Sequence, residues 1–318
     1  MIKKNSKIFL AGHKGLVGSA VYRKLKEEKF KNIIVVDRKK VDLQNYKQVE
    51  NFFKNKKIDY MIMAAARAGG ILANNTFKKD FFFQNIEIQN NLLKIALKKK
   101  IKRTIFLGTS CIYPKYSKNP IKEEYLLTGI LEKTNQCYAI AKISGIKLCE
   151  ALYEDENLDV VCLMPTNIYG INDNFDKFTG HVIPAMISKI VEAKKKNKKK
   201  IFLLGTGKPI REFLFSTDLA NAVLLLLKKS KKKLYLTSGK KFPIFNIGSG
   251  ESVTIKKLSQ IIKKSVGYKH KILFDKTSPD GTFKKNLDSN KIRKLGWRPK
   301  VKLSKGIQKV VNLQLSKA

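Results

Sequence analysis
Short apolar runs alternate with longer stretches in which apolar positions return every three or four residues. The first kind fits buried strands and the second fits helices with one covered face. Read this way, residues 8–10, 33–36, 58–64, 103–107 and 160–164 are strands, and residues 19–29, 42–56, 77–100 and 138–153 are helices. Alternation of strand and helix over about 165 residues predicts a doubly wound parallel sheet of the Rossmann kind. Beyond Gly170 the rhythm changes to a polar loop, a helix over 181–195 and a strand over 201–204. Residues 218–229 and 245–247 read as a helix and a strand returning to the main sheet. Residues 253–266, 271–274 and 290–295 then suggest a smaller C-terminal α/β subdomain closing over a cleft. The predicted division is residues 1–166 with about 214–249 as the nucleotide-binding domain, and 167–213 with 250–318 as the substrate-binding subdomain.

Composition fits this picture, with 43% hydrophobic residues in a chain of 318, enough for a large core. A formal charge of +41 raises the possibility of a polyanion partner. Only seven of the 66 cations are arginines, the residue suited to forked phosphate recognition, and lysine runs at 98–100, 194–200 and 231–233 fall at predicted helix ends and loops. Exposed positions enriched in lysine explain the charge better than specific nucleic-acid binding. Cys111, Cys137, Cys149 and Cys162 have no metal-ligand spacing and read as reduced thiols, so neither a metal site nor a disulfide is expected, and a cytoplasmic location is. No apolar run reaches the length of a signal or membrane-spanning segment.

The first strand runs into Gly12, His13, Lys14, Gly15, Leu16, Val17 and Gly18 and then a helix. Glycines in such a turn let the backbone approach a pyrophosphate at a helix N-terminus. Asp37 ends the second strand, where an acid can hold a ribose 2′-hydroxyl, while Arg38 and Lys14 can neutralise a 2′-phosphate. The two bracketing cations favour NADP over NAD. Ala64, Ala65 and Ala66 would let a flat cofactor lie close, or serve tight packing. Tyr138 and Lys142 lie one helical turn apart, downstream of Thr109 at a strand end. An ammonium beside a phenol lowers its pKa; a shift of ~2 to 3 units corresponds to about 3 to 4 kcal/mol and makes the hydroxyl a general acid or base.

These blocks resemble the extended short-chain dehydrogenase/reductase superfamily, and within it the family of GDP-L-fucose synthases. The resemblance runs from Lys7 to about Pro299 and rests on Gly-Thr-Ser-Cys-Ile-Tyr-Pro-Lys at 108–115, Tyr-Ala-Ile-Ala-Lys at 138–142, Met-Pro-Thr-Asn-Ile-Tyr-Gly at 164–170, Gly-His-Val-Ile-Pro-Ala at 180–185, Pro-Ile-Arg-Glu-Phe at 209–213 and Ser-Pro-Asp-Gly-Thr at 278–282. It implies C3/C5 epimerisation of GDP-4-keto-6-deoxy-D-mannose and then reduction at C4 by NADPH, with NAD the less favoured cofactor. It further implies Cys111 as base, His181 as acid, Tyr138 as proton donor in the reduction, Lys142 as the residue that orients the nicotinamide ribose and tunes Tyr138, and Thr109 as a hydrogen-bond partner of the reacting oxygen. Gly12, Lys14, Gly15, Leu16, Val17, Gly18, Arg38, Ala65, Lys142 and Asn167 would hold the cofactor. Arg211, Lys189, Lys285 and Asn167 would hold the substrate. Threonine at 109 stands where serine is frequent, and lysines at 14 and 189 where arginine is. The alternatives are an NAD-dependent nucleotide-sugar 4-epimerase or 4,6-dehydratase, and more remotely a polyanion-binding protein on a reductase scaffold. A homodimer through the helices at 77–100 and 138–153 is expected.

Overall fold
The computed structural model describes residues 2–278 and 280–316. The first half runs β1 (Lys7–Ala11), α1 (Leu16–Glu27), β2 (Asn32–Ile34), α2 (Tyr46–Phe53), β3 (Tyr60–Met63), α3 (Ile71–Thr76), α4 (Lys78–Lys98), β4 (Arg103–Leu107), α5 (Gln136–Asp155) and β5 (Val160–Pro165). The second half continues with β6 (Asn167–Tyr169), α6 (Val182–Lys195), β7 (Lys200–Leu204), β8 (Ile210–Phe215), α7 (Ser216–Lys228), α8 (Lys231–Thr237) and β9 (Ile244–Ile247). It closes with β10 (Ser252–Thr254), α9 (Ile255–Val266), β11 (Lys271–Asp275), β12 (Lys284–Lys285), α10 (Asn290–Lys294) and α11 (Leu303–Ser316).

The main sheet is parallel throughout, in the order β2-β1-β3-β4-β5-β9. Strand order reverses beside β1, which opens a crevice at the carboxyl ends of β1 and β3. Such strands must be apolar on both sides, and β4 and β5 are buried along their whole length. One face carries α1, α7 and α8, packed through Leu25, Leu219, Val223, Leu226 and Leu234. The other carries α2, α4 and α5, packed through Phe53, Leu92, Leu93 and Ile146. The fold class is therefore the expected doubly wound sheet.

A second core joins α6, α9 and α11 to β7 and β8 through Ile187, Ile190, Ile201, Phe213, Leu258, Ile262 and Ile307. Its sheet has the order β10-β8-β12, with β6 also pairing on β8, and a separate β7/β11 pair lies beside it. Residues 290–295, assigned from the sequence to this smaller unit, pack elsewhere. Ile292, Leu295 and Trp297 join the core under the main sheet, and the Trp297 indole donates to Asp218 O at 3.0 Å. Burying that large ring against α7 decides the placement. Seven further elements, α3, β6, β8, α8, β10, β12 and α11, are absent from the expected set. Helix α2 starts four residues later than expected because the Asn45 side chain accepts from Gln48 N and caps it there.

Arg103 ties the main sheet to the helix layer. It is 5% exposed, pairs with Asp159 at 2.7 Å and donates to the carbonyls of Leu226 and Lys229 at the end of α7. Arg103→Ala would strand the half-covered Asp159 carboxylate and two carbonyls. A loss of about 3 kcal/mol in unfolding free energy by urea titration is expected.

Candidate active site
The turn after β1 is built for close approach. Gly12 has φ +77°, and a Cβ there would lie 2.7 Å from Ala64 O and from Ala65 backbone atoms. A Cβ on Gly18 would lie 2.0 Å from Gly12 O. Gly15 is the N-cap of α1, with no side-chain cap and no acidic residue in the first turn. Leu16 and Val17 form that first turn, so its N–H groups and the positive end of the helix dipole are left for an anion. A cradle that any side chain would fill, closed on its far side by Ala64 and Ala65, fits a dinucleotide pyrophosphate.

Lys14 and Asp37, weighed from the sequence as opposing signals, are in contact. Lys14 Nζ is 2.7 Å from Asp37 Oδ1, and His13 Nε2 is 3.5 Å from the same oxygen. The hydrogen bond from Lys14 is the largest influence holding the Asp37 carboxyl below its ordinary range. Arg38 is exposed beside it.

The end of β4 and the start of α5 bring together Thr109, Cys111, Tyr138 and Lys142. Thr109 accepts from Cys111 N at 3.2 Å and so opens the tight turn Ser110–Ile112 that presents the Cys111 thiol, which is half-buried. Tyr138 lies in the first turn of α5, its ring edge-on to Phe81 with centroids 6.0 Å apart, and it hydrogen-bonds with Thr109. Lys142 is 4% exposed, donates to Leu107 O at 2.9 Å, and lies 4.9 Å from the centre of the Phe106 ring.

The expectation that Lys142 lowers the Tyr138 pKa is not met in this structure. Burial pushes the phenol well above its ordinary value, the Cys111 sulfur adds to the rise, and only the Thr109 hydrogen bond opposes it. The physical reason is direction, because the ammonium points along β4 at a carbonyl. Burial also lowers Lys142 to about 8.

The remaining predicted residues arrive from the smaller core. His181 is the N-cap of α6, and burial lowers its pKa from the ordinary imidazole value. A cavity of about 20 Å³ is lined by His181, Asn167, Val182 and Phe213, so β6 and α6 bring His181 and Asn167 to one place. Asn167 donates to Glu212 O at 3.0 Å. The neighbouring Arg211 donates to Ile210 O and feels the charges of Cys111, Asp280 and Glu132, although burial lowers its pKa overall. This places Arg211 on the Cys111 side of the cleft. Lys285, expected to hold the substrate, pairs in register with Arg211 and is 6% exposed. Lys189 lies two turns along α6, where burial and then Lys177 and Lys198 lower its pKa and Asp275 raises it. Pro279 of the 278–282 block lies outside the described residues.

Three contributors carried no role in the sequence reading. Glu212 is fully buried and its carboxylate accepts from Gly250 N and Leu287 N, fixing the strand that holds Arg211. Gly70 donates to Thr179 O, and a Cβ there would lie 2.4 Å from Gly180 O, so the segment after β3 seats the approach to His181. Asn135 donates from Nδ2 to Cys111 Sγ at 3.4 Å. Only Asn135 left a local signal, as the residue before a helix, and that signal reads as an ordinary cap. Among the described residues no cluster of three or more His, Cys, Asp or Glu is placed to hold a metal ion, and no helix is long and apolar enough to cross a membrane.

Residues 8–248 match the model of the NAD dependent epimerase/dehydratase family. The chain is 45% identical to GDP-L-fucose synthase 1 of Arabidopsis thaliana over 99% of this chain and 95% of that one. Among solved structures it is similar to a GDP-6-OMe-4-keto-L-xylo-heptose reductase from C. jejuni, with TM-score 0.94 and 31% identity over 100% and 99% of the two chains. It is also similar to a GDP-L-fucose synthetase from Naegleria fowleri bound to NADP, with TM-score 0.86 and 26% identity over 100% and 96%.

The Lys142 ammonium is held at a cost. Its folded-state value of about 8 is below the ordinary 10.5, so the unfolded chain binds more protons between those values and stability rises with pH across that window. Lys142→Met is therefore expected to stabilise the protein by about 2 kcal/mol at pH 7 and to lose that advantage by about pH 10. Urea titrations of both proteins at the two pH values measure it.

Proposed function
Because the chain belongs to the NAD dependent epimerase/dehydratase family, and within it to the GDP-L-fucose synthases, we propose that it converts GDP-4-keto-6-deoxy-D-mannose to GDP-L-fucose. The reaction is inversion at C3 and C5 followed by reduction at C4. The observation that carries this reading is the meeting of a half-buried thiol and a phenol at one strand end, with Arg211 of the smaller core coupled electrostatically to the thiol and His181 supplied by the N-cap of α6 in that same core. A 4-epimerase or 4,6-dehydratase that recycles its hydride has no need of the thiol and imidazole pair.

The C4 ketone acidifies the hydrogens on C3 and C5. Cys111 as thiolate removes each in turn, the charge passes to the C4 oxygen as an enolate, and His181 returns a proton from the opposite face; between the two inversions the thiol gives its proton to solvent and the imidazole takes one back. His181 is neutral at neutral pH in this setting. The negative charge of the diphosphate and the enolate draws a proton onto it, because an opposite charge favours the imidazolium. Arg211, with Lys189 and Lys285, binds the diphosphate. Asn167 meets sugar or ribose hydroxyls.

Thr109 and Tyr138 donate to the C4 oxygen and stabilise the charge that develops there in both stages. Burial keeps the Tyr138 phenol protonated, and it gives that proton to the C4 alkoxide as the hydride arrives. A bound NADPH supplies the hydride that arrives at C4. Gly12, Gly15, Leu16, Val17, Gly18 and Ala65 seat its pyrophosphate and Lys142 its nicotinamide ribose. Lys14, by neutralising Asp37, and Arg38 leave the ribose pocket suited to a 2′-phosphate, which supports NADP. The α4 and α5 faces, with Phe83 and Ile140 exposed, are the surface on which a second copy would pack.

Incubation with GDP-4-keto-6-deoxy-D-mannose and NADPH is expected to yield GDP-L-fucose by NMR, with slower turnover on NADH. Cys111→Ser should lower solvent-deuterium exchange at C3 and C5 at least a hundredfold while retaining cofactor binding. Tyr138→Phe should lose reduction by a similar factor. Exchange at the wild-type rate in the serine variant would remove Cys111 as the base.

A further inference from the structure
Asn135 closes the short turn Lys133–Asn135 and stands immediately before α5. An asparagine in that place ordinarily turns its side-chain oxygen back to accept an N–H of the first helical turn. Asn135 does not: its φ of −132° and ψ of 19° carry no side-chain cap. Its Nδ2 donates across to the Cys111 sulfur at 3.4 Å, and its Oδ1 is buried without a hydrogen-bond partner. The side chain has given up the cap and left an acceptor orphaned in order to reach a sulfur 24 residues away.

The backbone around it is anchored independently of that contact. Asn135 N donates to Glu132 O, and the buried Glu132 carboxylate is held by Lys115 and Thr282. The amide is thus delivered from a fixed turn on one side of the sulfur. From the other elements, Thr109 accepts the Cys111 N–H, while Tyr138 on α5 and Arg211 on β8 couple electrostatically to the sulfur. Of these groups, Asn135 is the neutral one whose N–H is aimed at Sγ.

We infer that Asn135 is a positioning residue for Cys111: its amide N–H holds the sulfur as an acceptor, favouring the thiolate over the thiol and fixing its direction toward the substrate. A donor bonded to the charged form of an acid stabilises that form, whereas a neutral thiol gains little from it. The inference deepens the proposed function and rests on the base role of Cys111 given there.

The test uses the full chain and reads the thiol directly. Wild type, Asn135→Ala and the near-isosteric Asn135→Asp are alkylated with iodoacetamide across a pH series, and peptide mass spectrometry separates Cys111 from the other three cysteines. The midpoint for Cys111 is expected to rise by about one pH unit in Asn135→Ala, and further in Asn135→Asp, where a negative charge replaces the donor. Below the midpoint this leaves roughly tenfold less thiolate, so C3/C5 deuterium exchange should slow about tenfold near neutral pH and recover as pH passes the new midpoint. Midpoints equal to wild type in both variants would overturn the inference. So would an exchange deficit of the same size at every pH, which marks a packing defect. A shifted midpoint in a protein that exchanges no deuterium on the GDP-sugar would uphold the amide–sulfur link while sinking the substrate reading.

Discussion
The site depends on one buried hydrogen bond, from Lys142 Nζ to the carbonyl of Leu107 at the end of β4. It fixes α5 against the strand whose next residues are Gly108, Thr109 and Cys111. A charged amine is expensive to bury, and its depressed pKa records that expense. The helix comes close because Gly145 has no side chain; a Cβ there would lie 2.5 Å from Gln89 Oε1 and 2.7 Å from the Phe106 ring. The Gln89 amide in turn donates to Ala141 O one residue before Lys142. Strand, helix and ammonium are thereby locked in one register, and Tyr138 one turn earlier can only face the strand end.

The other half of the site depends on a buried carboxylate. Glu212 has no solvent exposure, and two backbone N–H groups and the charge of Arg293 oppose the upward push of burial on its pKa. Its carbonyl accepts from Thr166 and Asn167, which lie just past the last main-sheet turn of β5. One residue therefore bonds to both sides of the crossing between the two cores. Arg211 precedes it in sequence, so the cation that faces Cys111 is placed by the joint itself.

Charge is managed differently at the surface and in the cleft. Most lysines are exposed and their many neighbours of like sign contribute little order. In the cleft the state of individual groups is set by burial and named contacts: Asp37 by Lys14, Tyr138 by burial and then Cys111, and Arg211 by burial, with the Asp280 and Glu132 carboxylates opposing it.

The alternation of buried runs and amphipathic stretches determined the doubly wound sheet, because strands covered on both faces and helices covered on one have distinct periods. The glycine spacing determined the nucleotide turn, since Gly12 needs a positive φ and Gly18 a bare α-carbon. Motif blocks were enough to name Thr109, Cys111, Tyr138, Lys142, His181 and Arg211 as candidates. What only the tertiary structure decided were matters of direction and long-range contact. Lys142 points at Leu107 O rather than acting on Tyr138, Lys14 reaches Asp37, Lys285 is buried, and Trp297 carries its segment to the main core. Asn135 forgoes its local cap for a sulfur on another element. None of these is legible along the chain, because side-chain direction is set by which distant backbone packs beside it, and local propensity is silent about that partner.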